Sequence, residues 1–382
     1  MDFIVFSDDW GEHPSSCQHL FREIARDHRV LWVNTVGMRA PRMTVTDLRK
    51  AFHKTWRMIA GAGESTHAPG REPPPNLAVL QPPMVPLPGL RLARAFNDSS
   101  ARRSIAAAMK RHGLRTPIVV TTVPNACDLV DRLGASMIVY YCVDDFAQWP
   151  GTNHRVVRAM EKRLIDRADL LLATSDKLQE ALGASGKTTH LFEHGVDLET
   201  FGSAEAREHP TLAGLPRPRA GFFGLLDERL DQDLLAELAS GMSDWTFVLA
   251  GPQATSLPSI ESHLNVVRLG PLPYQELPRF IAGIDVLILP YRVNEFTDTI
   301  SPLKLNEYLA TRRPIVSTGL REAKKRVPLV RIAADPSEWR DALNDALALN
   351  WDDCQADSQR TLAELSWRNR ASIFLELVAR RD

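Results

Sequence analysis

Short apolar runs alternate with helical stretches along the whole chain, and that alternation limits what it can fold into. Strands are predicted at 2–7, 29–33, 77–80, 117–121, 137–142, 169–174 and 189–192. A second set is predicted at 219–223, 245–250, 265–268, 284–289, 314–318 and 328–332. Helical patterns at 17–27, 98–112, 153–167, 176–183, 231–240, 274–282 and 302–311 fall between most of them. The strand runs are continuously apolar, as strands covered on both faces must be. The pattern therefore predicts an α/β protein with parallel sheets.

At 382 residues the chain is long enough for two cores. Residues 203–218, SAEAREHPTLAGLPRP, are polar and Pro-rich, and a fresh strand follows at Arg219. Two Rossmann-like domains facing a cleft are expected, 1–200 and 201–364, with 365–382 as a closing helix. A net charge of −1 gives the whole molecule no bias toward nucleic acid. No run of 18 apolar residues suggests a membrane-spanning helix. The start, Met1-Asp-Phe-Ile-Val-Phe-Ser7, reads as a first strand rather than a signal peptide. Cys17, Cys127, Cys142 and Cys354 are scattered with no CxxC, which fits a reducing cytoplasm and no zinc or disulfide framework. No GxGxxG follows the first strand, which argues against a dinucleotide-dependent dehydrogenase. Gly183-Ala-Ser-Gly-Lys-Thr188 has too few residues between its glycines for a P-loop and precedes a strand rather than a helix.

Residues 290–318, PYRVNEFTDTISPLKLNEYLATRRPIVST, carry the chemistry. A buried-looking strand runs into a polar loop, then a helix, then another apolar strand, making a βαβ unit. Ser301 is expected at the helix N-cap and Pro302 at its first position. A helix start offers free N–H groups and partial positive charge to an anion such as phosphate. Lys304 adds a full charge one turn in, and Glu307 shares its face at i+3. An anion site beside a hydroxyl acceptor suits a sugar nucleotide. The alternative is a solvated Lys–Glu pair on an ordinary crossover helix.

This segment resembles the donor-binding signature of GT-B glycosyltransferases of families 1 and 4, above all bacterial enzymes that build surface polysaccharides and read S-P-L-K-x-x-E-Y-L-A-x-x-x-P-V-V. The resemblance implies transfer of a sugar from a nucleotide-sugar donor to a saccharide or lipid-linked acceptor, with no cofactor and no bound metal. It implies donor contacts from Ser301, Lys304, Leu305 and Glu307, from Gly224 and Arg229 after the first strand of the second domain, from Gly251 in Leu249-Ala-Gly-Pro252, and from Tyr291 and Arg292. Lys304 would neutralise the departing diphosphate. Val139-Tyr-Tyr-Cys-Val-Asp-Asp-Phe146 is similar to the base-bearing strand of inverting glucuronosyltransferases of this fold, with Asp144 at the matching place. Its alternative is Asp144 as a helix cap and Asp145 as a solvated neighbour.

Loops after the first strand hold acceptor in such enzymes, which points to Trp10 and His13. Glu193-His-Gly-Val-Asp197 is similar to the family's N-G-V-D segment, with His194 for Asn and Asp197 expected to hold the turn. Residues 365–378 resemble the terminal helix that crosses back onto the first domain. Retaining family-4 enzymes carry a second glutamate eight positions before the one matched by Glu307, and here Thr299 stands there, beside Asp298. Inversion or retention therefore stays open. Two other functions are also compatible with the fold: a catalytically silent binding subunit and a sugar-nucleotide epimerase.

Residues 39–115 hold 14 Lys and Arg against four Asp and Glu. Val45, Leu48, Phe52, Trp56 and Ile59 recur within this stretch at helical spacing. A basic amphipathic helix with a tryptophan suits an anionic membrane surface, and peripheral attachment to the inner face of the plasma membrane is the expectation. A core-packed helix with a solvated face is the alternative.

Overall fold

The computed structural model describes residues 1–11, 15–35, 72–83, 91–202, 207–348 and 362–380, and of 91–95 the backbone alone. The expected basic amphipathic helix and His13 lie outside the described residues. The chain divides into two units, Met1–Glu193 with Ala371–Asp382, and His194–Arg370.

Unit 1 is built on a seven-stranded sheet of order β3-β2-β1-β4-β5-β6-β7. Its strands are β1 Asp2–Ser7, β2 Arg29–Asn34, β3 Leu77–Leu80, β4 Ile118–Thr121, β5 Met137–Cys142, β6 Leu170–Ala173 and β7 Thr189–Leu191. Every pairing is parallel. Phe3, Phe21, Trp32 and Phe192 are buried, and Phe374 of the last helix, Trp367–Ala379, packs against Phe3, Phe21 and Phe192 at centroid distances of 5.7–6.2 Å. Burying each such ring stabilises the fold by roughly 1.5–3 kcal/mol.

Unit 2 repeats the plan with six parallel strands in the order β10-β9-β8-β11-β12-β13. They are β8 Arg219–Phe223, β9 Thr246–Ala250, β10 Val266–Gly270, β11 Val286–Leu289, β12 Ile315–Ser317 and β13 Arg331–Ile332. In both sheets the order reverses beside the first strand, at β1/β4 and at β8/β11. Ligands of open α/β sheets bind beyond the carboxyl ends of strands at such a reversal. Residues 219–223, 246–250 and 286–289 are buried without exception, as the unbroken apolar runs require.

Several helices go beyond the sequence reading. Glu295–Thr299 forms within the expected polar loop because Asn294 and Thr297 make a reciprocal capping box. Pro336–Ala348 packs Trp339, Leu343 and Ala346 into the unit 2 core. The rejected P-loop lysine has a structural use: Lys187 Nζ donates to the carbonyls of Ile165, Asp166 and Ala168 at 2.7–3.0 Å, closing the end of the His154–Arg167 helix.

Candidate donor site

β8 runs directly into Gly224, whose φ is +141°, and β9 into Gly251, whose φ is +146°. The two backbones touch. A Cβ on Gly251 would lie 1.8 Å from the Gly224 carbonyl oxygen, and a Cβ on Gly224 would lie 2.6 Å from Lys304 Cε. Real Cβ atoms do not approach so closely, so glycine at both places is what lets Lys304 lie across the end of β8.

Lys304 comes from the Leu303–Ala310 helix. Its Nζ donates to the Tyr291 hydroxyl at 2.6 Å and sits 5.0 Å from the centroid of that ring and 5.2 Å from that of Phe222. Arg229 approaches the same tyrosine, with Cζ 5.4 Å from the ring centroid. Asp227 grips Arg229 through Nε at 2.9 and 3.0 Å and Nη2 at 2.7 Å. Gly224, Arg229, Tyr291 and Lys304 thus come together.

Glu307 is buried, with no hydrogen-bond or ion-pair partner among the described residues. Burial pushes its pKa up to about 7; Lys304 opposes the rise and Asp197 adds to it. The anticipated Lys304–Glu307 pair does not close as a salt bridge, because the ammonium has turned to Tyr291. The Tyr274 phenol feels the same carboxyl: burial, then Glu307 and Asp197, pushes its pKa up.

Other expectations are corrected. Pro302, not Ser301, is the N-cap, and no side chain caps this helix, so its first N–H groups are left without that partner. Leu305 is 3% exposed and its side chain packs in the unit 2 core, which leaves only its backbone for a donor. Tyr291, 1% exposed, reaches Lys304 rather than solvent. Arg292 pairs with Asp233 at 2.8 Å. Thr299 is buried and donates to the Phe296 carbonyl, so that position offers no carboxylate.

The residues around His194 fasten this helix. Asn306 Nδ2 donates to the His194 carbonyl at 2.8 Å. Burial and the nearby Arg370 charge lower the His194 imidazole pKa to about 4, against an opposing interaction with the Ser301 backbone. Gly195 is needed for close approach rather than for positive φ, since a Cβ there would fall 2.5 Å from the Trp367 ring. Asp197 caps the Leu198–Phe201 helix.

In unit 1 the two adjacent aspartates exchange expected places. Asp145, not Asp144, is the cap and is buried, accepting from Ala147 N, Gln148 Nε2 and, at 2.6 Å, Arg158 Nη2. Asp144 is half-buried just beyond β5. Trp10 is buried edge-on to Trp32 with Arg22 5.5 Å from its ring centroid, so it forms a wall rather than an open acceptor surface. Asp227, Asn306 and Tyr274 carried no role in the sequence reading. Their partners are remote in sequence or, for Asp227, hidden in an ordinary polar turn.

Residues 217–348 match the family model described as glycosyl transferases group 1. That match spans about a third of the chain, all of it within unit 2. A Bacillus subtilis (strain 168) protein, TuaH, provisionally described as a teichuronic acid biosynthesis glycosyltransferase, is 32% identical over 224 residues. That match covers 55% of this chain and 56% of TuaH, so the chain spans little more than half of that relative. Sucrose-phosphate synthase from Thermosynechococcus elongatus superposes with a TM-score of 0.71 at 12% identity, covering 99% of this chain and 98% of that one. Anabaena Alr3699/HepE in complex with UDP and glucose gives 0.67 at 15% identity, covering 99% of each chain. The structural likenesses give the chain the GT-B fold.

Proposed function

We propose that the protein is a glycosyltransferase that moves a sugar from a nucleotide donor to a saccharide or lipid-linked acceptor in cell-envelope polysaccharide synthesis. One observation carries the reading. Lys304 lies across a glycine at the end of β8, and a buried Glu307 one turn further on has no hydrogen-bond partner among the described residues. The donor diphosphate would be met by Lys304 and the uncapped helix start, and ribose or sugar hydroxyls by Glu307. The TuaH similarity and the UDP-bound Alr3699/HepE structure support the donor class and the envelope context.

In an inverting reaction Asp144 takes the proton of the acceptor hydroxyl. The acceptor oxygen then forms the new bond to the anomeric carbon, and the old carbon–oxygen bond breaks with its electrons leaving on the diphosphate. Lys304 offsets that charge without a metal. Thr299 favours inversion over a family-4 retaining site, because it supplies no carboxylate. The basic stretch 39–115 would hold the protein on anionic lipid. Flotation with phosphatidylglycerol vesicles at low salt tests that part, and failure to float refutes it.

Binding and slow hydrolysis of a panel of nucleotide sugars by wild type and Lys304→Ala test the main reading. One donor should bind, and the substitution should lower its hydrolysis about 10²–10³-fold. No binding of any nucleotide sugar at millimolar concentration would refute it. Donor binding with no turnover in a cell-envelope lipid extract would indicate a silent binding subunit instead.

A further inference from the structure

Tyr291 is buried and held from several sides. Its backbone pairs with Leu230 across an antiparallel bridge, and Arg292 N donates to the Arg229 carbonyl at 2.7 Å. Thr318 Oγ1, just past β12, donates to the Tyr291 carbonyl at 2.7 Å. The loop after β8 and the end of β12 therefore both fix its position beside β11. The ring is 1% exposed, inclined at 60° to Phe222 with centroids 6.0 Å apart.

Two cations converge on this one side chain. Lys304 takes the hydroxyl at 2.6 Å, and Arg229 lies 5.4 Å from the ring centroid. Asp227 pairs with Arg229 at 2.7 Å, and the Glu307 carboxyl lies near enough to Lys304 to feel its charge. Like charges gathered this way repel, and the ring quadrupole and the hydroxyl oxygen offset that repulsion together with Asp227. A free lysine loses rotamer entropy when it is fixed. A hydroxyl that fixes it beforehand spares an anion that cost on binding.

We propose that Tyr291 is a positioning residue for the cations of the donor site, its hydroxyl setting Lys304 and its ring setting Arg229 for a diphosphate. This rests on the donor-site reading above. It assigns the buried phenol an effect on phosphate affinity that acts wholly through its two neighbours.

The test is Tyr291→Phe, which keeps the ring and removes the oxygen. UDP, GDP, ADP and dTDP are titrated calorimetrically, and the diphosphate the wild type binds best is compared with its nucleoside. The variant should bind that diphosphate roughly five- to fiftyfold more weakly, with the nucleoside unchanged. In a Lys304→Ala background the same substitution should add nothing, since the two act as a unit. Reductive methylation of ligand-free protein, read by mass spectrometry, should modify Lys304 faster in the variant, a readout that needs no nucleotide. Equal diphosphate affinity, equal loss for nucleoside and diphosphate, or the same loss without Lys304 would overturn the inference alone. A wild type that binds none of the four diphosphates would overturn the donor-site reading and this inference with it. Thermal unfolding of each variant separates these results from loss of fold.

Discussion

The strand ends of the two units use their carboxylates differently. In unit 1, Asp8 beyond β1 accepts from Ser7, Ser15 and Gln18, and Asp145 beyond β5 accepts from Ala147, Gln148 and Arg158. Burial still raises the Asp8 pKa in spite of its three side-chain donors. In unit 2, Glu307 is buried with no donor among the described residues, and Lys304 is held by a phenol rather than an acid. Asp8 and Asp145 therefore spend their hydrogen-bonding capacity on holding loops, while the Glu307 carboxyl keeps its own.

The largest effect should come at Gly251. An alanine Cβ would meet the Gly224 carbonyl at 1.8 Å, and φ is +146°. Gly134 of unit 1 also has positive φ, +64°, but nothing lies within 4 Å of an added Cβ. Gly251→Ala should cost about 4 kcal/mol or more, and Gly134→Ala about 1 kcal/mol, by urea unfolding. Equal losses would mean that backbone conformation alone, not the close approach, demands glycine at 251.

Asp144 and Asp145 sharpen the contrast within unit 1. Asp145→Asn breaks the pair with Arg158 and should cost about 1–3 kcal/mol of stability with donor affinity unchanged. Asp144→Asn should leave stability nearly unchanged and lower transfer to acceptor about 10²–10⁴-fold, measured as product formed in an envelope lipid extract. The reverse pattern would move the proposed base to Asp145.

The third prediction concerns pH. Glu307 has a folded pKa raised from 4.5 to about 7, so its contribution to stability is full below 4.5 and falls as pH rises to 7. His194 is lowered from 6.5 to about 4, so its contribution is full above 6.5 and falls as pH drops to 4. Each slope integrates to about 3 kcal/mol, and over the shared window they oppose one another. Glu307→Gln should leave the His194 slope exposed, making the protein lose more stability on acidification than wild type. His194→Asn should do the opposite. Unfolding free energies at pH 4.5, 5.5 and 6.5 decide it, and parallel profiles for all three proteins would refute both assignments.

The parallel sheets, the strand positions and the Lys304 motif were legible because each is written locally, in apolar runs and in a helix start beside a charge. What was illegible depends on packing. Lys304 and Glu307 share a helical face, yet Tyr291, 13 positions back and on another element, takes the lysine. Two consecutive aspartates give no sign of which one the turn after β5 will fold inward. Ser-Pro before a helix reads as cap and first position, but the backbone turns one residue later and Pro302 takes the cap. Trp10 in a polar loop reads as an open ring until Trp32 and Arg22 enclose it.

Arg292 marks the lower end of the scale and tests where the donor site stops. It adjoins Tyr291 in sequence, and sequence alone makes it a donor contact. Its guanidinium instead pairs with Asp233 at 2.8 Å, and both side chains are well exposed, 42% and 65%. Exposed pairs contribute about 0–1 kcal/mol because water and salt screen them. An arginine engaged this way would have to exchange one exposed acid for the donor, with little net gain. Arg292→Ala should therefore change unfolding free energy by less than about 1 kcal/mol and diphosphate affinity by less than about threefold. The charge that matters for the donor should lie on Lys304 and Arg229, on either side of the buried tyrosine. A tenfold loss of diphosphate affinity in Arg292→Ala would extend the site past Tyr291 and return Arg292 to the donor contacts.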